Sequence, residues 1–211
     1  MTRQPSRIVV LCNGEKPDPD RFKADLAESD LFICADGGAN SAVEASQIPD
    51  VIIGDFDSVT PSTLQACQSA QLIRLDDQET TDFEKVLTYI GQWPAAQVTV
   101  WGALGLRIDH TIGNLSSLIR LAGKRSVYLK SNNALSYSIP SGFSKTFPPG
   151  KTISLIPIPS AGGVRTVGLR WPLLNETLEL GLRNGTLNET TGGPVQITFT
   201  SGHLILMEID G

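Results

Sequence analysis

The chain has 211 residues, 40% of them hydrophobic and 18% charged, with 20 glycines and 13 prolines; these proportions exclude collagen-like, disordered and mini-protein architectures. Its formal net charge is −5, and the acid excess lies in residues 1–131, where 17 Asp and Glu face 12 Lys and Arg, against 5 of each in 132–211. That balance lacks the basic footprint of nucleic-acid binding, no apolar run approaches the ~20 residues of a membrane span, and two histidines cannot build a multi-histidine metal site.

A metal, if bound, would therefore be held by oxygen, and a hard cation such as Mg²⁺ fits best. The opening MTRQPSRIVVLC reads as a first strand rather than a signal-peptide core, so the cytoplasm is the expected location. Cys12, Cys34 and Cys67 form no CxxC and are expected to be reduced and mostly buried.

In chain order, strands are predicted at Arg7–Cys12, Leu31–Ala35, Val51–Gly54, Gln71–Leu75, Val98–Trp101 and Ser126–Lys130. Near-continuous apolar strands separated by helical stretches imply an α/β domain with a mostly parallel sheet covered on both faces. The clearest helix follows Thr81. There Phe83, Val86, Leu87 and Ile90 share one face, and Thr81-x-x-Glu84 spells a capping box. A second helix is predicted from about Thr111, with Ile112, Leu115, Leu118, Ile119 and Ala122 on its apolar face. After Lys130 short β-like runs recur at Ile153–Ile158, Thr177–Leu182, Val195–Thr200 and His203–Ile209, punctuated by Pro148-Pro149-Gly150, Gly162-Gly163, Asn184-Gly185 and Gly192-Gly193. This is the texture of a small all-β sandwich. The expected domains are thus 1–131, α/β, and 132–211, all-β.

Four polar clusters follow predicted strands, where a parallel sheet places function. Asp36-Gly37-Gly38-Ala39-Asn40 could let a phosphate approach a helix N-terminus, although a plain strand-to-helix turn also explains its glycines. In Gly54-Asp55-Phe56-Asp57-Ser58 the two carboxylates, two residues apart, face one side of an extended backbone and invite a cation between them. Capping of the next helix by Asp57 or Ser58 would leave Asp55 unexplained. Asp76-Asp77-Gln78-Glu79-Thr80-Thr81-Asp82 is more acidic than helix capping requires. Gly102-Ala103-Leu104-Gly105-Leu106-Arg107-Ile108-Asp109-His110 combines glycines with an arginine fork suited to phosphate oxygens. Asp109 could instead cap the following helix, and His110 could be a packed first-turn residue. Neither a Walker A loop nor a strand-linked G-x-G-x-x-G is present.

Together CADGGAN, IIGDFDSV, TTDFEKVL and GALGLRIDH, followed by GLRW and GTLNET, resemble the thiamine pyrophosphokinase family over nearly the whole chain. The resemblance implies an α/β nucleotide domain joined to a β-sandwich that binds thiamine, in a homodimer with sites at the subunit interface. It implies diphosphate transfer from ATP to the hydroxyl of thiamine, with Mg²⁺ and release of AMP. It places Asp55, Asp57 and Asp82 at the metal and phosphates, as catalytic groups with Arg107 and Asp109. Asp36, Gly37, Gly38, Asn40, Thr81, Gly105 and His110 fall at the nucleotide, and Trp171 and Asn188 at thiamine. Trp171 alone could equally be a core or edge aromatic.

Three positions depart from the family pattern: Gln78 stands where lysine is common, Leu106 replaces a glycine, and Leu187 replaces a serine associated with the thiamine pocket. Leu187 keeps a pterin-type alcohol open as acceptor, and the carboxylates keep a Mg²⁺-dependent nucleotide phosphohydrolase open as a reaction class.

Overall fold

The computed structural model describes residues 4–210. Contacts divide the chain into two units: residues up to Ser117 with Arg125–Asn132, and Leu118–Lys124 with the chain from Asn133 onward.

The first unit is a parallel sheet of six strands: β1 (Arg7–Leu11), β2 (Leu31–Ala35), β3 (Val51–Gly54), β4 (Gln71–Arg74), β5 (Gln97–Trp101) and β6 (Val127–Lys130). The spatial order is β6-β5-β1-β2-β3-β4, and every adjacent pair is parallel. The helices are α1 (Pro19–Ala27), α2 (Gly38–Glu44), α3 (Pro61–Ala66), α4 (Asp82–Tyr89) and α5 (Ile108–Arg120). Burial explains the apolar strands: in β1, β2 and β3 nearly every residue is buried, whereas β4, at the edge, is mostly exposed. Phe22 of α1 anchors the core edge-on to Phe32 and Trp101, with centroids 5.6 and 6.3 Å away. The three cysteines are free and buried, as expected, and burial pushes the Cys12 thiol up to about 12.

Thr81 caps α4 through the expected box: its hydroxyl accepts from the Glu84 amide at 3.2 Å, and the Glu84 carboxylate accepts from the Thr81 amide at 3.0 Å. The cap of α3 is Thr60, which leaves Asp57 and Ser58 without that duty. Helix α5 starts at Ile108, earlier than predicted. Of its predicted apolar face Leu118 is buried and Leu115, Ile119 and Ala122 are half-buried, whereas Ile112 is 63% exposed and the polar Asn114 and Ser117 are buried instead. The buried Asn114 amide donates to the Ala103 carbonyl at 2.7 Å, a bond that offsets its desolvation and turns a polar side of the helix toward the loop after β5.

The second unit is built from strands β7 (Ala134–Ile139), β8 (Phe143–Val167), β9 (Leu174–Glu179), β10 (Gly185–Thr198) and β11 (Ser201–Ile209). Strand β11 lies antiparallel between β7 and β8, and β9 pairs antiparallel with β8. The sheet wraps round on itself, because Ile197 of β10 is opposite both Phe143 and Thr166 of the same long strand. Several predicted breaks lie inside strands: Pro148-Pro149-Gly150 and Gly162-Gly163 bend β8, and Gly192-Gly193 falls within β10. Register shifts in the β8–β10 pairing absorb the Pro148–Gly150 and Gly192-Gly193 stretches, and one in the β8–β9 pairing, between Ala161 and Val164, absorbs Gly162-Gly163. β9 ends at Glu179 instead of continuing to Leu182, since the chain turns at Gly181 and the Glu179 amide donates to the Arg183 carbonyl. Strand β7 was not predicted. Among the described residues no helix is long and apolar enough to cross a membrane.

Thr81→Ala should destabilise the protein by ~1 kcal/mol through loss of the cap. Chemical denaturation checks this, and an unchanged midpoint would contradict it.

Candidate active site

In an open parallel sheet, ligands bind beyond the carboxyl ends of the strands, where the strand order reverses. Here the chain runs from β1 outward to β4 on one side and restarts at β5 on the other. The loops after β1 and β5 stay zipped beyond the sheet. The Cys12 amide donates to the Trp101 carbonyl at 2.8 Å, and the Gly14 amide to the Gly102 carbonyl at 2.8 Å. A cleft of about 600 Å³ opens at this point. It is lined from five strand ends: Cys12–Gly14 after β1, Asp36 after β2, Asp55, Asp57 and Ser58 after β3, the Asp77–Asp82 loop after β4, and Gly102–Arg107 after β5.

Asp36 is 2% exposed. Its backbone is held by donation from its amide to the Ile53 carbonyl at 2.8 Å, and its Oδ2 accepts from the Ser58 amide at 3.3 Å. Its Oδ1 is buried with no hydrogen-bond partner. Carboxylate oxygens of Asp36, Asp55 and Asp57 all lie within 4.8 Å of one another. Burial raises the Asp36 carboxyl above its usual range. Donation from the Gln78 side chain, at 2.9 Å, lowers that of Asp55, with help from the Asp57 amide. Gly54 makes the crowding possible, because a Cβ there would come within 2.7 Å of the Asp36 Cβ. Asp36, Phe56 and Leu106 adopt left-handed backbone angles, with φ of 41°, 69° and 54°. Such strain in non-glycine residues gathers at functional sites. Leu106 thus occupies a conformation glycine would adopt freely.

Asp82 stands apart from that trio: its carboxylate accepts from the Lys85 ammonium at 3.1 Å. Thr81 lines the cleft while capping α4. Arg107 meets Asp109 through two bonds, of 2.5 and 3.2 Å, which hold the Asp109 carboxyl down at about 2. Arg107, Gly105 and His110 line the cleft, whereas Asp109, Gly37, Gly38 and Asn40 lie outside its lining. Gly38 is fixed by packing, since a Cβ there would sit 2.2 Å from the Leu11 carbonyl oxygen. Asn40 ties two loops together: it donates to the Ser58 carbonyl at 2.8 Å and accepts from the Thr60 amide at 3.1 Å.

Sequence reasoning passed over Asn13, Lys85 and Asn114, which also line the cleft. Asn13-Gly14, directly after an apolar strand, carries the same signal as the other clusters. Lys85 was masked as an ordinary helix lysine.

Trp171 and Asn188 belong to the second unit, on a groove of about 300 Å³ lined also by Leu173, Arg183 and Leu187. The Asn188 side chain donates to the Trp171 carbonyl at 2.7 Å and accepts from the Trp171 amide at 3.2 Å. It therefore clamps the backbone that presents the indole, which is 53% exposed with Arg170 5.0 Å from its centroid. The exposure sets aside a core role for Trp171. Leu187 is 71% exposed and left-handed, with φ 57°.

The family described as the thiamin pyrophosphokinase catalytic domain matches residues 22–129, and the one described as the thiamin pyrophosphokinase vitamin B1 binding domain matches residues 139–204. A thiamine pyrophosphokinase from Oryza sativa subsp. japonica is 32% identical over 92% of this chain and 83% of its own. One from Caenorhabditis elegans is 29% identical over 96% and 89%. Among solved structures, the thiamine pyrophosphokinase of Bacillus subtilis has a TM-score of 0.83 at 23% identity, covering 97% of this chain and 99% of its own. The yeast thiamin pyrophosphokinase has a TM-score of 0.86 at 18% identity, covering 99% and 87%.

Asn188→Ala removes both bonds of the clamp and should destabilise the protein by ~1–3 kcal/mol, with greater acrylamide quenching of tryptophan emission. Unchanged stability and quenching would show that Asn188 does not hold Trp171.

Proposed function

Since the chain belongs to the thiamin pyrophosphokinase family, we propose that it transfers diphosphate from ATP to the hydroxyl of thiamine, yielding thiamine diphosphate and AMP. The observation that carries the site assignment is the buried, unpartnered Oδ1 of Asp36 among the carboxylates of Asp55 and Asp57, at the sheet's reversal point. A buried carboxylate oxygen without a donor, inside an all-oxygen cluster, suits a hard divalent cation. Asp36, Asp55 and Asp57 would hold Mg²⁺, with Asp82 beside them at the phosphates. When bound, the ion supplies charge neutralisation and orientation of phosphate oxygens.

In the reaction the hydroxyl oxygen of thiamine attacks the β-phosphorus. The new C–O–P linkage forms as the bond between the β-phosphorus and the oxygen retained by AMP breaks, and the hydroxyl proton is lost. Charge stabilisation should supply most of the rate. Arg107, held by Asp109 through its Nε and Nη2, keeps its Nη1 donors for phosphate oxygens, with His110, Gly105 and Thr81 also on the cleft wall. The exposed Trp171 offers a stacking face for the acceptor ring, held in place by Asn188.

The relatives do not favour the pterin-type acceptor or the phosphohydrolase. Leu187, whose amide donates to the Ser154 hydroxyl at 3.0 Å, leaves its side chain out on the groove, where size rather than hydrogen bonding would select the acceptor. A cytoplasmic homodimer with sites at the subunit interface, binding neither nucleic acid nor membrane, completes the proposal. Exposed Leu106, Ile108 and Ile112, at 78, 76 and 63%, support the dimer.

Asp55→Asn and Asp57→Asn should each fold normally yet lower thiamine diphosphate formation by about 100-fold or more at limiting Mg²⁺, the scale of losing one transition-state electrostatic contact. Steady-state assays across Mg²⁺ concentrations check this, and near-wild-type turnover in either variant would remove that carboxylate from the metal site.

A further inference from the structure

Lys85 lies on α4 with its side chain only 4% exposed, yet it lines the cleft. Five carboxylates line the same cleft, those of Asp36, Asp55, Asp57, Asp77 and Asp82. Arg107, the other lining cation with a fixed charge, is 68% exposed and committed to Asp109, and Gln78 contributes a neutral amide. Lys85 is therefore the buried positive charge facing this acidic surface. An ammonium has three donors, and among the described residues its one side-chain acceptor is Asp82, at 3.1 Å. An interior ammonium with donors to spare is unfavourable unless further oxygens complete its shell.

We infer that Lys85 is a phosphate ligand of the nucleotide: its ammonium, positioned by Asp82, donates its remaining hydrogens to polyphosphate oxygens in the cleft. This rests on the diphosphate-transfer reading and adds to it a contact residue buried beneath the acidic surface. A role confined to holding Asp82 is the alternative, and it makes a different prediction.

Calorimetric titration with ATP and Mg²⁺, without thiamine, separates them. Lys85→Met should weaken ATP binding at least tenfold while changing AMP binding less than threefold, because the lost contact is with the outer phosphates. The loss should persist, at fivefold or more, when Lys85→Met is introduced into Asp82→Asn. If the second substitution then changes ATP affinity by less than twofold, Lys85 acts only through Asp82 and the inference is overturned. An affinity within threefold of wild type in the single variant overturns it as well. Should Lys85→Met not fold, by circular dichroism, Lys85→Gln keeps a donor for Asp82 without the charge and must show the same loss. In turnover, the KM for ATP should rise with that for thiamine unmoved. Because binding is read without an acceptor, a wild-type protein that forms no thiamine diphosphate would refute the proposed activity separately.

Discussion

Carboxylates whose oxygens lie within 4.8 Å of one another repel, and one of them, Asp36, is almost completely buried. The rest of the site follows from this repulsion. The fold brings the groups together by ending β2 and β3 side by side, so that Asp36 and Asp55 emerge from neighbouring strands paired at Ala35 and Ile53. Local bonds offset part of the cost: Gln78 donates to Asp55, the Ser58 amide to Asp36, and the Thr80 hydroxyl to Asp77. The Asp36 Oδ1 remains unmatched. A parallel sheet tolerates such an arrangement because its apolar strands are fixed by burial on both faces, independently of what their ends carry.

The two units solve different problems. The first places rigid strand ends around a polyanion-sized cleft. Its zipped β1 and β5 loops and left-handed Asp36, Phe56 and Leu106 hold side chains where relaxed loops would not. The second presents an exposed aromatic on a backbone clamped by one asparagine, where ring stacking would provide acceptor affinity with little ordering of flexible side chains.

Much of this was legible in the sequence because strong local rules agreed. The apolar runs of β1, β2 and β3 are buried as written, the capping box of α4 forms between Thr81 and Glu84, and the four polar clusters all emerge at strand ends. What stayed hidden was set by tertiary contacts. In α5 Leu118 keeps the apolar period, but Ile112 is exposed and Asn114 is buried on its bond to Ala103. β7, with the sequence ALSYSI, has small serines diluting its alternation, and Ser136 among them is buried. Glycine pairs that read as chain breaks are bends within long strands, since cross-strand pairing overrides local turn chemistry. Asp36 could be flagged as polar after a strand, but its proximity to Asp55 and Asp57 required the sheet order. Lys85 shares its spacing with any solvated helix lysine, and only burial distinguishes it.

The most direct measurement is product identification by mass after incubating the protein with ATP, Mg²⁺ and thiamine. The account predicts thiamine diphosphate and AMP in equal amounts, with no nucleotide cleavage when thiamine is omitted. Formation of ADP with thiamine monophosphate, or AMP release that does not depend on an acceptor, would contradict it.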